Sequence, residues 1–404
     1  MKYFKVFIFL LLQIICLYGN EPVSKITISA IGDIMAHIDM QNYAFSQDKG
    51  FLSIYNEMVP LFMNDDLTIG NLETPVSDNI MPEGYPTFNA PVSFVSALKE
   101  SGVDLVSTAN NHSIDQGGAG ITDTIDALNN AGVMFSGTGN NREDSFNFIY
   151  FNRGGIRIAY ISVTSLSNIP QPSDPALPTF NYLRYWVDAD KELLYQKLSE
   201  AKAYSDLVIV AVHDGEEYNN TPTRATERFY YELAEKGADV ILGHHPHVVQ
   251  RIELRNNQNG RRTLIAFSLG NFISAQSHFA GYVLGQGNES RLAKTSDGIV
   301  LRFDVIKING ITTVADPCVV PFYNVCFKTT DNPINGTGFR LSYINDILDP
   351  ASSNNPYYTH NYNSLIELVR YRYARIVDIV KVRTTNLSGE LANNSNNLLY
   401  GGNR

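Results

Sequence analysis

The chain has 404 residues, 44% apolar and 11% aromatic, enough to bury one large core or two ordinary ones. Acidic residues number 41 against 31 basic ones, for a formal net charge of -10, and no Lys/Arg run exceeds a pair. Those features exclude the electrostatic footprint of a nucleic-acid binder or of a polybasic lipid-binding segment, and no nucleic-acid partner is expected.

The start of the chain reads as an export segment. Lys2 and Lys5 precede an apolar run from Val6 to Tyr18, which has the charge and length pattern of a secretory signal and is too short for a comfortable membrane span. Residues 1–20 are therefore expected to deliver the chain to the periplasm or cell envelope. A cleaved soluble form and a form lipid-anchored at Cys16 both stay open, because Ile15 and Leu17-Tyr18-Gly19 match neither signal well. The other cysteines, Cys318 and Cys326, stand eight apart, and an exported compartment permits a disulfide between them.

From Lys25 onward short β-rich runs alternate with helical stretches, the pattern of an α/β domain whose strands are buried on both faces. The spacing predicts strands over 25–31, 67–70, 105–109, 207–212 and 240–242. Helices are predicted over 92–101, 120–130, 188–204 and 223–236, the last stopped by Gly237. Beyond Gly298, β-rich runs over 299–308, 311–314 and 318–325 are expected to complete a second sheet. Residues 25–330 thus read as one domain. Residues 331–404 read as a C-terminal extension with one helix over 363–382 and a loose polar tail. The segment 274–297, with Gly281, Gly285 and Gly287, reads either as a mobile lid or as an ordinary surface loop.

Each of the five predicted strands ends in a ligand-type group. Asp33 follows the first, Glu73 the second, Asn111 and His112 the third, His213 the fourth, and His244, His245 and His247 the fifth. Open α/β proteins place ligands at the C-terminal edge of a sheet, so these residues are expected to form one site. Counting His37, six of the eight histidines lie at these strand ends. Carboxylates, an amide and imidazoles without a nearby cysteine suit Mn, Zn or Fe better than a thiolate-bound structural metal. Singly the residues say less: Asp33 reads equally as a turn or cap, Glu73 as a surface acid, and His213 as a core histidine. The histidines around Pro246 are hard to explain as packing.

Seven words occur in order: GDIM (32–35), GNLETP (70–75), FNAP (88–91), ANNHSIDQG (109–117), VHDG (212–215), GHHPHV (243–248) and SLGNF (268–272). Over residues 25 to 310 this order resembles the CapA-like poly-γ-glutamate capsule synthesis family of the calcineurin-like metallophosphatases. The resemblance implies a metallo-dependent phosphatase-like fold, a four-layer α/β/β/α sandwich of two mixed sheets, with one or two divalent metals at one edge. It implies that Glu73 bridges the metals, with Asp33 and His247 on one and Asn111, His213 and His244 on the other, and that His112 donates a proton to a leaving group. The sequence departs from the metallophosphatase pattern in three places. His37 stands four residues after Asp33 where an Asp-x-His is usual, Asp115 is a displaced partner for His112, and Asp214 follows His213. His37, Asp115 and His245 are accordingly assigned to the metal or to the residues around its ligands. Asn89, Glu217 and Asn271 are expected to line a substrate pocket.

The function expected on this basis is that of a metal-dependent hydrolase acting on a phosphoester or amide-type bond in a cell-surface polymer or its precursor. The alternative is a non-catalytic, polymer-binding or export component that works with membrane-bound synthase subunits. A nucleotide or phospholipid phosphatase would want Arg or Lys beside the metals, and none of the seven words contains either. Handling of a polyanion would require Arg153, Arg157, Arg251, Arg261 and Arg262 to gather on the pocket side.

Overall fold

The computed structural model describes residues 23–258, 260–279, 293–328, 337–349, 363–381, 383–385 and 391–392. Residues 1–20, read above as an export segment with Cys16, positions 280–292 of the lid-or-loop segment, and most of the polar tail lie outside these residues.

In chain order the strands are β1 (Ser24–Ile34), β2 (Leu67–Leu72), β3 (Leu105–Ser107), β4 (Met134–Ser136), β5 (Thr138–Gly139), β6 (Ile149–Arg153), β7 (Ile156–Thr164), β8 (Thr179–Phe180) and β9 (Leu207–His213). There follow β10 (Val240–His244), β11 (Ile252–Asn256), β12 (Arg262–Ala266), β13 (Asn271–Ile273), β14 (Asp297–Ile308), β15 (Ile311–Lys328), β16 (Thr337–Tyr343), β17 (Arg383–Thr385) and β18 (Leu391–Ala392). One eight-stranded sheet runs β16-β15-β14-β1-β2-β3-β4, with β13 also paired to β1. The second, again of eight strands, runs β18-β17-β11-β12-β10-β9-β7-β6. Both are mixed: β1, β2, β3 and β4 are mutually parallel, as are β7, β9, β10 and β12, and antiparallel strands flank each set.

Burial on both faces gives the strands their character. All of LVIVAVH in β9 is buried, as expected where parallel strands are covered twice. Ile28, Ile69 and Leu105 of the first sheet meet Ile158, Ile209 and Leu242 of the second in one core. On the outer face of the first sheet, Phe94 and Leu98 of the helix Val92–Glu100 and Leu128 of Gly117–Ala131 pack against Ile31 and Val106. Leu194 and Leu198 of the helix Asp188–Tyr204, with Phe229 and Leu233 of Arg224–Lys236, cover Val208, Val210 and Ile241 of the second sheet. The layers are therefore helix, sheet, sheet, helix, the α/β/β/α sandwich.

Three features depart from the sequence expectation. First, β14 and β15 extend the first sheet, β14 antiparallel to β1 and β15 antiparallel to β14, rather than completing the second. The two-residue Asn309-Gly310 turn, with φ of 52° and 76°, folds β15 straight back on β14. Second, Cys318 and Cys326 are free thiols on the single strand β15. Eight residues at roughly 3.3 Å each separate them by about 26 Å, far beyond the ~7 Å that a disulfide spans. Third, the chain after 331 adds β16 to the first sheet and β17 to the second, besides its helix Asn363–Ile379. Short strands such as β17 carry too little periodicity to be seen in a polar sequence.

Two glycines let the strand ends meet. A Cβ on Gly32 would lie 1.9 Å from the Gly270 carbonyl oxygen, and one on Gly243 would lie 2.0 Å from that of Phe267. Gly32→Ala and Gly243→Ala are expected to lower unfolding free energy in urea by about 3 kcal/mol or more, because backbone must move. Gly50→Ala, with φ of 53° and open space around its Cβ, should lose only on the order of 1 kcal/mol. Equal losses at all three positions would sink this account.

Candidate metal centre

Parallel pairing brings the polar ends together. Asp33 is in register with Asn71 across β1 and β2, and His213 with His244 across β9 and β10. The ends of the two sheets face each other, so the site lies between two sheet edges rather than at one. Asp33 and Glu73 have no exposed surface, and His213, His244, His245 and His247 are all buried. His245 and His247 reach inward through left-handed backbone, with φ of 94° and 56°. Residues without glycine's freedom hold such angles only where surroundings impose them, a pattern concentrated at functional sites.

The distances are short. Asp33 Oδ1 lies 3.3 Å from His244 Nδ1, and Oδ2 lies 3.2 Å from His247 Nδ1. Glu73 Oε1 lies 3.6 Å from His213 Nε2 and 3.8 Å from His247 Nε2. His213 Nε2 is 2.7 Å from Asn111 Oδ1. Ligand atoms converge in two sets within 4.8 Å: Glu73, His245 and His247, and Asp33, Glu73 and His213. Glu73 belongs to both. This grouping pairs Asp33 with His213 and brings in His245, whereas the resemblance pairs Asp33 with His247 and gives the second metal His244.

The chemistry of the donors tests whether a cation fits. Glu73 Oε1, His245 Nδ1 and both ring nitrogens of His244 are buried with no well-aligned hydrogen-bond partner. Several orphaned donor atoms facing one another are costly unless something positive sits among them. The oxygen and nitrogen set suits a divalent ion of the Mn, Zn or Fe class. Burial pushes Asp33 upward, but contacts from His244 and His247 hold it well below the usual carboxylate range. Glu73 is raised well above its range, by burial first and then by the charges of Asp33, Glu217 and Asp115. His213 is lowered by burial and by His245, and His245 falls to about 3 through burial and His247. Imidazoles kept neutral are in the form that coordinates a metal.

His112 forms a separate arm. Its Nδ1 is 2.7 Å from Asp115 Oδ2, and that same oxygen accepts the Phe88 N–H at 2.8 Å. The Phe88 ring meets the His112 ring edge-on, with centroids 4.7 Å apart. Asn110 accepts the His112 N–H and donates to the Leu72 carbonyl, tying the arm to the strand that delivers Glu73.

Other expected residues fall elsewhere. His37 is buried, with its Nδ1 accepting the Ala275 N–H at 3.2 Å, and it joins neither ligand set. Asn89 is buried, and its amide donates to the carbonyls of Ser77, Ile80 and Met81 and ties a loop together. Asn271 stands behind His247, its Oδ1 3.1 Å from Nδ1. Glu217 is half-buried, and its charge acts on Glu73. The five arginines do not gather at the site. Arg153 and Arg157 pair with Asp104 and Asp206 at the strand starts, on the far edge, where Arg261 and Arg262 border a cleft with Leu207 and Asp239. Arg251 is locked to Glu253 and Glu227.

Two site residues escaped the sequence reading. Asn71 donates to Asp33 Oδ1 at 2.8 Å and lies 3.3 Å from His213 Nδ1. Its position two before Glu73, on the same side of an extended strand, was a usable signal. Asn168, 3.4 Å from His112 Nδ1, sits in a loop with no motif to mark it.

A buried carboxylate beside a second one destabilises the metal-free fold. Glu73→Gln should therefore be at least as stable as the parent without metal. It should also lose the rise in Tm that Mn²⁺ or Zn²⁺ gives the parent. Thermal melts with and without each ion check both points, and a variant that kept the full metal-induced rise would remove Glu73 from the site.

Residues 27–276 match the family model described as bacterial capsule synthesis protein PGA_cap. The chain is 30% identical over 264 residues to the capsule biosynthesis protein CapA of Bacillus anthracis, covering 62% of this chain and 60% of that one. It is 30% identical over 268 residues to the PGA biosynthesis protein CapA of Bacillus subtilis strain 168, covering 64% and 65%. The match thus spans less than two thirds of either relative. Among solved structures, the crystal structure of a novel phosphatase from Mycoplasma pneumoniae is 15% identical with a TM-score of 0.44, covering 75% of this chain and 95% of that one. With more than half of its length inside the family model, the chain belongs to the bacterial capsule synthesis protein PGA_cap family.

Proposed function

We propose that this protein acts in the synthesis of a capsule or other cell-surface polymer of the poly-γ-glutamate kind, as an exported metal-dependent hydrolase. The observation that carries the proposal is the buried convergence of Asp33, Glu73, His213, His245 and His247, with orphaned donor atoms, beside the His112–Asp115 pair. The names of the two Bacillus relatives supply the polymer context. Export rests on the Lys2, Lys5 and Val6–Tyr18 pattern at the start of the sequence.

A divalent ion held by these residues supplies Lewis-acid polarisation of a bound carbonyl or phosphoryl oxygen. The protein's own groups do the rest. Asp115 holds His112 through Nδ1, which leaves Nε2 to present a proton to a leaving group. Phe88 packs against that ring and shields one side of it from water. The five arginines are locked in carboxylate pairs or placed at the far strand edge, so a polyanion such as poly-γ-glutamate would be met at this site by the charge of a bound cation rather than by these side chains, and amide-type linkages and phosphoesters are both to be tested.

The test is metal analysis of the purified protein beside a His244→Ala/His247→Ala double variant, followed by hydrolysis of a generic phosphodiester and of poly-γ-glutamate. Metal in the parent alone, with turnover on one substrate, is the expected result. His112→Ala should then retain metal and lose about 10²- to 10⁴-fold in kcat. A parent that stays metal-free after reconstitution with Mn²⁺ or Zn²⁺ would replace hydrolysis with a polymer-binding role.

A further inference from the structure

The matched family region ends at 276, yet the chain beyond it reaches back to the metal centre. In the helix Asn363–Ile379, Arg372 is 1% exposed and Asp297, at the start of β14, has no exposure at all. The Arg372 Nε lies 3.1 Å from each Asp297 carboxylate oxygen, and its terminal nitrogen also donates to Oδ2. A buried, forked pair of this kind fixes direction as well as distance.

What Asp297 anchors is a short stretch that brackets Asn271. Two residues before it, the Thr295 carbonyl accepts the Asn271 amide at 3.0 Å, and Gln276 Oε1 accepts it at 2.9 Å. On its other side Gly298 bridges to Gly270, whose carbonyl accepts the Asp33 N–H at 3.0 Å. With its amide group committed to two acceptors, Asn271 has one orientation available, and its Oδ1 faces His247 Nδ1 at 3.1 Å. That nitrogen meets only oxygen acceptors here, Asn271 Oδ1 and Asp33 Oδ2, so it must carry the ring proton. The Nε2 lone pair is then free on the side of Glu73. A histidine ligand whose other nitrogen donates to a fixed acceptor is held in the tautomer and ring angle that coordination needs.

We infer that Asn271 is the positioning residue for His247, and that Arg372, from a helix outside the matched region, holds Asn271 in place through Asp297. The inference rests on the metal-site reading of His247 but makes a claim about the metal-free protein as well. Removing either residue loosens the His247 ring without touching a ligand.

Selective ¹⁵N-histidine NMR of the metal-free protein is the first readout. The parent should show a protected Nδ1–H on His247. In Asn271→Leu and Arg372→Met that proton should exchange with solvent, while Asn271→Asp, which keeps an acceptor, retains it. Titration with Co²⁺ or Zn²⁺ is the second: Asn271→Leu should bind about 10- to 100-fold more weakly, and Arg372→Lys should recover part of the loss seen in Arg372→Met. If Arg372→Met fails to fold, Arg372→Lys and the two Asn271 variants still decide the matter. Folded Asn271→Leu and Arg372 variants with a protected His247 proton and parental metal affinity would overturn the inference. A parent that shows the protected proton but binds no metal would instead count against the proposed function alone.

Discussion

Glu73 is a carboxylate with no exposed surface whose oxygens belong to both converging ligand sets, and the geometry around it follows from the need to keep it there. Burying one ionised carboxylate costs several kcal/mol, and Asp33 beside it adds repulsion. Nothing in a hydrophobic sandwich compensates for that except imidazoles, amides and, when present, a cation. The parallel strands supply the imidazoles and amides. Because they run in one direction within each sheet, their polar ends come out at the same edge, and Gly32 and Gly243 let neighbouring backbone approach closely enough to close the cluster. The left-handed turns at His245 and His247 are the local strain that this closure requires.

The His112 arm is built on different principles, although it stands next to the cluster. Its orientation comes from loop contacts rather than from strand register. Asp115 shares one oxygen between the His112 ring and the Phe88 backbone, so the loop carrying Phe88 and the orientation of His112 cannot change independently. Asn89, spent on loop carbonyls, and Gln41, whose amide donates to the Ala36, Glu83 and Asn89 carbonyls, fix the base of that loop. An interior amide that looks idle with respect to chemistry thus helps fix the loop that holds Asp115 against His112.

The elements legible in the sequence were those with a strong local signal. The strands β1, β2, β9 and β10 are apolar runs stopped by a polar word, and the helix Asp188–Tyr204 has the predicted bounds. Clustering of histidines at strand ends made the cluster visible without any knowledge of the fold. What was hidden depends on partners distant in sequence. Membership of β14 in the first sheet follows from its pairing with β1 across more than 250 residues, which no local period encodes, and β15 joins through β14. The exclusion of His37 and the commitment of Asn89 to a loop depend on Ala275 and on the loop carbonyls, and residue type alone does not reveal them. Asn71 was within reach, because strand alternation puts it on the side of Glu73, but an asparagine beside an acidic residue draws little notice.

The matched family region ends before the fold does. Residues 27–276 contain every strand-end ligand, yet they stop short of β14, which pairs with β1 from Ser24 to Ala30. Ile299, Leu301, Phe303 and Val305 of β14 and Val314 and Val319 of β15 are part of the core between the sheets. Without them the core between the sheets would lose these side chains and the edge of β1 its hydrogen bonds, a position no buried strand tolerates. The shared region is therefore a site without a complete scaffold. Completion falls to the β14–β15 hairpin and the helix Asn363–Ile379, which lie beyond the matched residues. The part of the chain that looks most like an appendage thus carries the Arg372–Asp297 pair that leads, through Thr295 and Asn271, to His247 of the candidate metal centre.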